Sequence, residues 1–225
     1  MPNASDRIAS VIEARGSRQA ILRAYNLFAG FYGFWSAHFE EKAIIRGLAM
    51  ARVLAGERVV EVAVGPGTAL VRLRKLAGES GRTVGVDLAP RMLRVARRRS
   101  PQALLVQADA RSLPFAEGAF DLVWSSYFLD LVPSAELTPL LREFRRVLRP
   151  GGRLLLVSLS KKGETPTWWE RFYRITPSWL VPCLFGGCRP IQSAPFAQAA
   201  GFVEIERQVV SQGFDSEVIL GRNPL

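Results

Sequence analysis

Cysteine and histidine are scarce in this chain: among 225 residues the only cysteines are Cys183 and Cys188, and His38 is the only histidine. Two cysteines cannot found a disulfide framework. Their spacing resembles half a metal site, yet no second cysteine pair completes a zinc shell and His38 lies far away in sequence. Both thiols are therefore expected to be reduced and structural, and no metal is expected. Long apolar runs are missing too, since none approaches the ~20 residues needed to span a bilayer. The first ten residues carry Asp6 and Arg7 and no apolar run, so no secretory signal is read there and a cytoplasmic chain is expected. Internal repeats, low-complexity segments and interdomain linkers are also lacking, which points to one domain with a full core.

What is present is ordinary globular material, with 48% hydrophobic and 22% charged residues. The charge is lopsided: 30 Lys+Arg against 20 Asp+Glu give a formal net charge of +10. Nucleic-acid binding, an anionic lipid surface and a merely solvated arginine-rich face all fit that balance, so charge alone decides nothing.

From about Arg58 onward, short β-rich apolar runs alternate with helical patterns, the signature of a parallel sheet covered on both faces. The runs Arg58–Val64, Thr83–Asp87, Ala103–Gln107, Phe120–Ser125 and Gly152–Ser158 predict strands. Val203–Gln208 and Glu217–Arg222 predict a terminal antiparallel addition. A helix is predicted over Arg91–Arg99 behind Pro90, whose missing N–H suits the first helical position. A second is predicted after Thr138 as N-cap, with Leu140, Leu141, Phe144, Val147 and Leu148 on one face and Arg142, Arg145, Arg146 and Arg149 opposite. Pro150, Gly151 and Gly152 then stop it. The arginines of both helices read more simply as solvated faces than as a nucleic-acid groove. Ahead of this core, Arg7–Leu27 and Glu40–Leu54 read as helices around an aromatic stretch, Phe28 to Trp35. Residues 1–56 are thus expected to form a helical cap within the same domain. Residues 57–225 form its core, with a substrate-pocket insertion at about 161–192.

The most informative unit runs from Val59 to Thr68, where a buried strand enters a turn bearing Gly65 and Gly67 and feeds a helix. Glycine belongs where backbone bends tightly and approaches a ligand, and ligands of open α/β sheets bind at the carboxyl ends of strands. The next strand ends in Asp87, an acid able to accept both hydroxyls of a ribose. The third leads to Asp109, placed to accept from an adenine amino group.

The series Glu61-x-Ala63-x-Gly65-x-Gly67, Gly85-x-Asp87 and Ala108-Asp109-Ala110 resembles the successive motifs of class I S-adenosylmethionine-dependent methyltransferases. Leu113-Pro114-Phe115, Phe120-Asp121-Leu122-Val123 and Arg145 to Gly152 extend the likeness. Together they resemble the ubiquinone/menaquinone-biosynthesis and phospholipid N-methyltransferase-like branch (methyltransferase type 11), over roughly Val59 to Ser158. The resemblance implies an α/β, Rossmann-like, doubly wound and mostly parallel seven-stranded sheet with S-adenosyl-L-methionine as cofactor. It implies that Asp87 holds the ribose, that Asp109 and Ala110 meet the adenine, and that Leu88 and Met92 pack on the adenine or ribose. It implies that Gly65 and Gly67 line the methionine moiety, that Ser125 helps position its amino-acid end, and that Glu61 and Ala63 also belong to the cofactor site. The family usually has glycine at Ala63 and a small polar residue at Pro66. A nicotinamide dehydrogenase would want a third glycine where this chain has Leu70.

In-line methyl transfer asks the protein chiefly to orient the acceptor and exclude water, and needs a base only if the acceptor loses a proton. The branch carries tyrosine-acid pairs near its N-terminus. Here Tyr25 and Tyr32 are present without the acids, Tyr25 as an expected cofactor contact and Tyr32 as an expected lid. An unperturbed histidine is a ready base near neutral pH, so His38 joins Tyr32, Tyr127 and Asp130 as a candidate base. The insertion holding Trp168 and Arg189 is expected to build the acceptor pocket, with Arg189 facing an acceptor phosphate or carboxylate, or capping a local carbonyl. Tyr32, Tyr127, Trp168 and Arg189 are therefore the candidate acceptor contacts.

The expected activity is S-adenosylmethionine-dependent methylation of a small or lipid-like acceptor, an isoprenoid quinone precursor or a phospholipid amine. The expected setting is the inner face of an anionic membrane. Nucleic acid is disfavoured as acceptor, because Ser125-Ser126-Tyr127-Phe128 replaces the Asp/Asn-Pro-Pro-aromatic segment of amino-methylating DNA enzymes. The alternative is a cofactor-binding or membrane- or RNA-associated protein of the same fold without methyl transfer.

Overall fold

A computed structural model describes residues 13–14, 17–27, 40–160, 168–177, 180–181, 188–212 and 214–225, with the side chains of 168–170 set aside. Seven strands form one mixed sheet in the order β3-β2-β1-β4-β5-β7-β6. They are β1 (Arg58–Val62), β2 (Arg82–Asp87), β3 (Leu104–Gln107), β4 (Phe120–Ser126), β5 (Leu148–Leu159), β6 (Val203–Gln212) and β7 (Phe214–Arg222). The first five pair in parallel, and β7 enters antiparallel between β5 and β6. The expected Rossmann-like α/β class is what is observed, including the terminal antiparallel addition.

Seven α-helices are described: α1 (18–27), α2 (Glu41–Ala51), α3 (Thr68–Ala77), α4 (Pro90–Arg99), α5 (Ser134–Val147), α6 (Trp168–Ile175) and α7 (Ala194–Ala199). The alternation of strand side chains splits the core into two layers. Val59, Leu122, Trp124, Leu155 and Val218 meet Ile44 of α2 and Leu73 of α3 on one face. Val60, Val62, Val84, Val123 and Leu156 meet Leu137, Leu141 and Phe144 of α5 and Phe196 of α7 on the other. Gly47 of α2 lies so close to the sheet that a Cβ there would stand 2.7 Å from the Trp124 ring.

Three of the boundaries that differ from expectation have a local cause. The β1 ladder stops at Val62, not Val64, because Ala63 takes φ 57° and turns the chain out of the extended region. The helix expected after Thr138 begins at Ser134, behind Pro133, so Pro139 lies inside α5. Proline's missing N–H costs a bond to the carbonyl four residues back, and that residue, Ala135, is exposed to water. Strand β5 starts at Leu148, before the glycines, and Gly151 at φ 70° carries the chain onward while its N–H donates to the Asn223 carbonyl. Helix α1 is capped by Ser17, whose Oγ accepts the Ala20 N–H at 3.2 Å.

Among the described residues, no helix is long and apolar enough to cross a membrane, and no His/Cys/Asp/Glu group could hold a metal ion. Cys188 is a free, buried thiol. Cys183 lies outside the described residues.

Candidate active site

Strand order reverses at β1, which has β2 on one side and β4 on the other. The carboxyl ends of these strands open onto a cavity of about 310 Å³, the crevice such a reversal creates. Its rim begins in the turn after β1, where Ala63, Gly65 and Gly67 take φ 57°, 52° and 80°. Left-handed backbone is costly with a Cβ, and the two glycines serve different ends. A Cβ on Gly65 would meet nothing within 4 Å, so its backbone borders open space in the cavity wall. A Cβ on Gly67 would stand 3.2 Å from Ala96, so Gly67 lets α3 and α4 approach. Gly67 itself is absent from the cavity lining.

Asp87, at the end of β2, is fixed by both oxygens. Oδ2 accepts the Gly65 N–H and Oδ1 the Ala89 N–H, each at 2.8 Å. Burial pushes its carboxyl above the ordinary aspartate range, against the pull of those N–H groups. Each oxygen keeps a lone pair for a further donor. Beneath it Glu61 lines the cavity at 2% exposure, and its Oε2 has no hydrogen-bond partner. Burial first, and the Asp87 charge second, raise its carboxyl well above the usual range, while the Leu70 N–H draws it down.

After β3, Asp109 and Ala110 border the cavity beside Leu88. Partial burial pushes the Asp109 carboxyl up, but the Arg111 N–H and the charges of Arg18 and Arg111 outweigh it and hold it low. Arg18 pairs with Asp109 at 2.6 Å, and Arg111 bridges Asp109 and Glu136. Arg18 belongs to α1, which lies along the cavity with Arg18, Ile21, Leu22 and Tyr25 facing it. Met92, almost fully buried, packs with Ala89, Leu22 and Tyr25 and is not itself part of the lining.

Ser125 and Ser126 lie on opposite faces of β4. Ser125 is fully buried, its Oγ donating to the Val62 carbonyl at 3.1 Å, and Ser126 lines the cavity instead. Tyr127 also lines it, at φ 52°, its hydroxyl 2.8 Å from Ser216 Oγ and its ring edge-on to Phe214. Burial, then the Glu40 charge, raise the phenol's pKa, so it stays protonated at neutral pH. Asp130 is fully buried behind the wall, one oxygen accepting the Leu159 N–H at 3.0 Å and Oδ1 without a partner. Burial raises its carboxyl well above the usual range, with Arg189 pulling down. Arg189 is buried as well and donates to the carbonyls of Leu129 and Asp130. That is the carbonyl-capping geometry. The Tyr25 hydroxyl lies 3.9 Å from Cys188 Sγ. Tyr32 and His38 lie outside the described residues, as does the side chain of Trp168.

Sequence reasoning passed over Arg18, Glu40, Ser126 and Arg111, all of which line the cavity. A signal existed for the first: Arg18, Ile21, Leu22 and Tyr25 fall at i, i+3, i+4 and i+7, one helix face.

An α/β sheet of this order, with acids at the ends of β2 and β3 around a left-handed turn, defines the class I methyltransferase architecture. Residues 59–152 match the family described as a methyltransferase domain. Over 114 residues the chain is 40% identical to an uncharacterized methyltransferase of Synechocystis sp., covering 50% of this chain and 52% of that protein. Over 118 residues it is 37% identical to the ubiquinone/menaquinone biosynthesis C-methyltransferase UbiE of Azotobacter vinelandii, covering 50% and 46%. The matches thus span about half the length of these curated relatives. The fold is shared with the methyltransferase in a complex with the Haloferax volcanii Trm112 methyltransferase activator, at TM-score 0.69, 20% identity and coverage of 89% and 98%. Residues 59–152 thus match a methyltransferase domain, and the sheet around them has the class I methyltransferase fold.

Proposed function

We propose that this protein transfers a methyl group to a lipid-like acceptor of the isoprenoid quinone type. The observation that carries the reading is the make-up of one continuous cavity. Its lining joins Asp87, Asp109 and the Gly65 backbone to an apolar wall of Ile44, Phe128, Leu131, Val132 and Leu140. The 37% identity to a quinone-biosynthesis C-methyltransferase supports the same acceptor class.

The residues present fit S-adenosylmethionine: an open-faced Gly65, an unpartnered buried Glu61 oxygen, and two acids at the ribose and adenine positions. Asp87 would hold the ribose hydroxyls, with Leu88 beside it, and Asp109 with Ala110 would hold the adenine edge. Ala63 and Ser126 would border the methionine end, with Tyr25 closing over it. The cofactor supplies an electrophilic methyl on a sulfonium. The chain's own part is to orient the acceptor and exclude water through the apolar wall. Among the described residues Glu40 is the carboxylate at the α2 corner of the lining, close enough to raise the pKa of Tyr127, Asp130 and Cys188. It favours a second reading, a phospholipid amine, because a carboxylate attracts an ammonium and takes up its proton.

A methyl-labelled donor incubated with a total lipid extract in detergent tests this. Label in a prenylated quinol is the expected product, label in an aminophospholipid selects the second reading, and no labelled lipid overturns both. The reading includes a peripheral position at the inner face of an anionic membrane, where such acceptors dissolve.

A further inference from the structure

Helix α6 is anchored through Tyr173. Tyr173 is fully buried and packs against Val181, and Thr176 Oγ donates to the Phe172 carbonyl at the helix end. Ile175 is 77% and Phe172 43% exposed, and Arg171 and Arg174 are exposed with them. Residues three apart share a helix face, so 172 and 175 form one apolar ridge and 171 and 174 a basic one beside it. An apolar ridge flanked by arginine is the pattern of a helix that lies in a membrane interface.

A second element repeats the pattern at the same end of the sheet. Leu27, closing α1, is 71% exposed, and Arg23 is exposed one turn earlier. Helix α1 lines the cavity, and its Tyr25 reaches Cys188, next to the Arg189 that grips the backbone following β4. Tyr173 of α6 lies close enough to act on the Arg189 charge, which sets α6 beside the same wall. Both elements therefore sit at the cavity end of the molecule.

We propose that α6 and the last turn of α1 dock this end on an anionic lipid bilayer. Ile175 and Leu27 enter the interfacial layer, and Arg171 and Arg23 meet headgroup phosphates. The net charge of +10 complements such a surface. A nucleic-acid backbone would satisfy the arginines and leave Ile175 and Leu27 in water, so the pairing of aliphatic and basic residues selects lipid. The purpose of the docking rests on the lipid-acceptor reading, since a bilayer-dissolved acceptor then reaches the cavity without crossing water.

Co-sedimentation of the full chain with phosphatidylcholine vesicles, with and without phosphatidylglycerol, tests the surface. Binding to the anionic vesicles that falls with salt is expected. Ile175→Asp should weaken it by on the order of tenfold, and Arg171→Gln by roughly fivefold. Both variants should keep the wild-type melting temperature and cofactor affinity, and Leu27→Asp serves should Ile175→Asp fail to fold. No binding of wild type to anionic vesicles overturns the proposal, as do variants that bind as well as wild type. Variants that instead lose binding to duplex DNA overturn it in favour of nucleic acid. Failure here is separable from failure of the function above: methylation in detergent needs no docking, and vesicle binding needs no methylation.

Discussion

Asp87 Oδ2 accepts the backbone N–H of Gly65 at 2.8 Å, so the acid that ends β2 holds the turn that ends β1. Its other oxygen takes the Ala89 N–H and steadies the start of α4. One carboxylate thus shapes two neighbouring walls of the cofactor end, and a ribose would engage lone pairs already aimed by these bonds. Asp87→Ala is expected to weaken S-adenosylmethionine binding by about 1–3 kcal/mol. Asp87→Asn, which keeps one acceptor oxygen, should fall between it and wild type in calorimetric titration. Wild-type affinity in the alanine variant would remove Asp87 from the cofactor site.

Beneath that carboxylate, Glu61 makes stability depend on pH in a defined direction. Its folded pKa is raised by burial and then by Asp87, so between its unfolded and folded values the native state holds a proton that the unfolded chain releases. The contribution is complete below the ordinary glutamate range, about pH 4–5, and is lost as pH rises through the folded value. Asp109 and Glu143, whose carboxyls are held low, act oppositely, losing their contribution as pH falls. Comparing Glu61→Gln with wild type cancels them. Urea unfolding across pH should show the variant gaining on wild type steadily toward neutral pH. Parallel curves would contradict a buried, proton-holding Glu61.

Ala63 is a non-glycine residue at φ 57° in the turn where the family usually has glycine. The left-handed region costs an L-residue roughly 1–2 kcal/mol, of which glycine's extra freedom in the unfolded chain returns a part. Ala63→Gly is therefore expected to stabilise the protein by about 1 kcal/mol, a rise of roughly 2–4 °C in melting temperature for a domain of this size. Cofactor affinity should hold or improve, since no side chain is added. A lower melting temperature would mean that the Ala63 methyl packs usefully.

These residues also show what a sequence discloses. Strand ends were legible because a left-handed turn and an acid each leave a local mark, and the seven strands followed from short β-rich apolar runs. Ser125 against Ser126 was not, because successive strand residues face opposite ways and a shift of one exchanges wall for core. Asp130 sits in a short 3-10 turn, Leu129–Leu131, that carries it into the interior, which no local pattern announces. Arg18 lies on a legible helix stripe, but an arginine there reads as solvated until Asp109 is found opposite. Long-range pairing of that kind depends on the fold.

The Arg18–Asp109 pair joins α1 to the adenine end of the cavity, with the two side chains 50% and 37% exposed. Pairs so exposed contribute at most ~1 kcal/mol to stability. Arg18→Ala should accordingly leave the melting temperature nearly unchanged, and its effect should appear in faster cofactor release as α1 loses this latch. Asp109→Ala removes both the latch and the adenine acceptor, so it should cost more affinity, and adding Arg18→Ala to it should cost nothing further. Full additivity in this double-mutant cycle would show that the two residues act separately.

Arg189 gives the sharpest contrast between a binding and a structural role. Its guanidinium is wholly buried, donating to the Asp130 carbonyl at 2.8 Å, to the Leu129 carbonyl at 3.4 Å and to Ser134 Oγ at 3.3 Å. Burial lowers its pKa, with the nearby Asp130 opposing. Its removal would strand two carbonyls and leave the Asp130 carboxyl without its cationic neighbour. Arg189→Met is therefore expected to destabilise the protein by about 2–4 kcal/mol. Arg189→Lys should recover part of that, because an ammonium restores charge without the planar fork. A residue that met an acceptor phosphate would behave differently, leaving the unfolding midpoint alone and raising KM. Midpoints for both variants equal to wild type, beside a raised KM, would return Arg189 to the acceptor site.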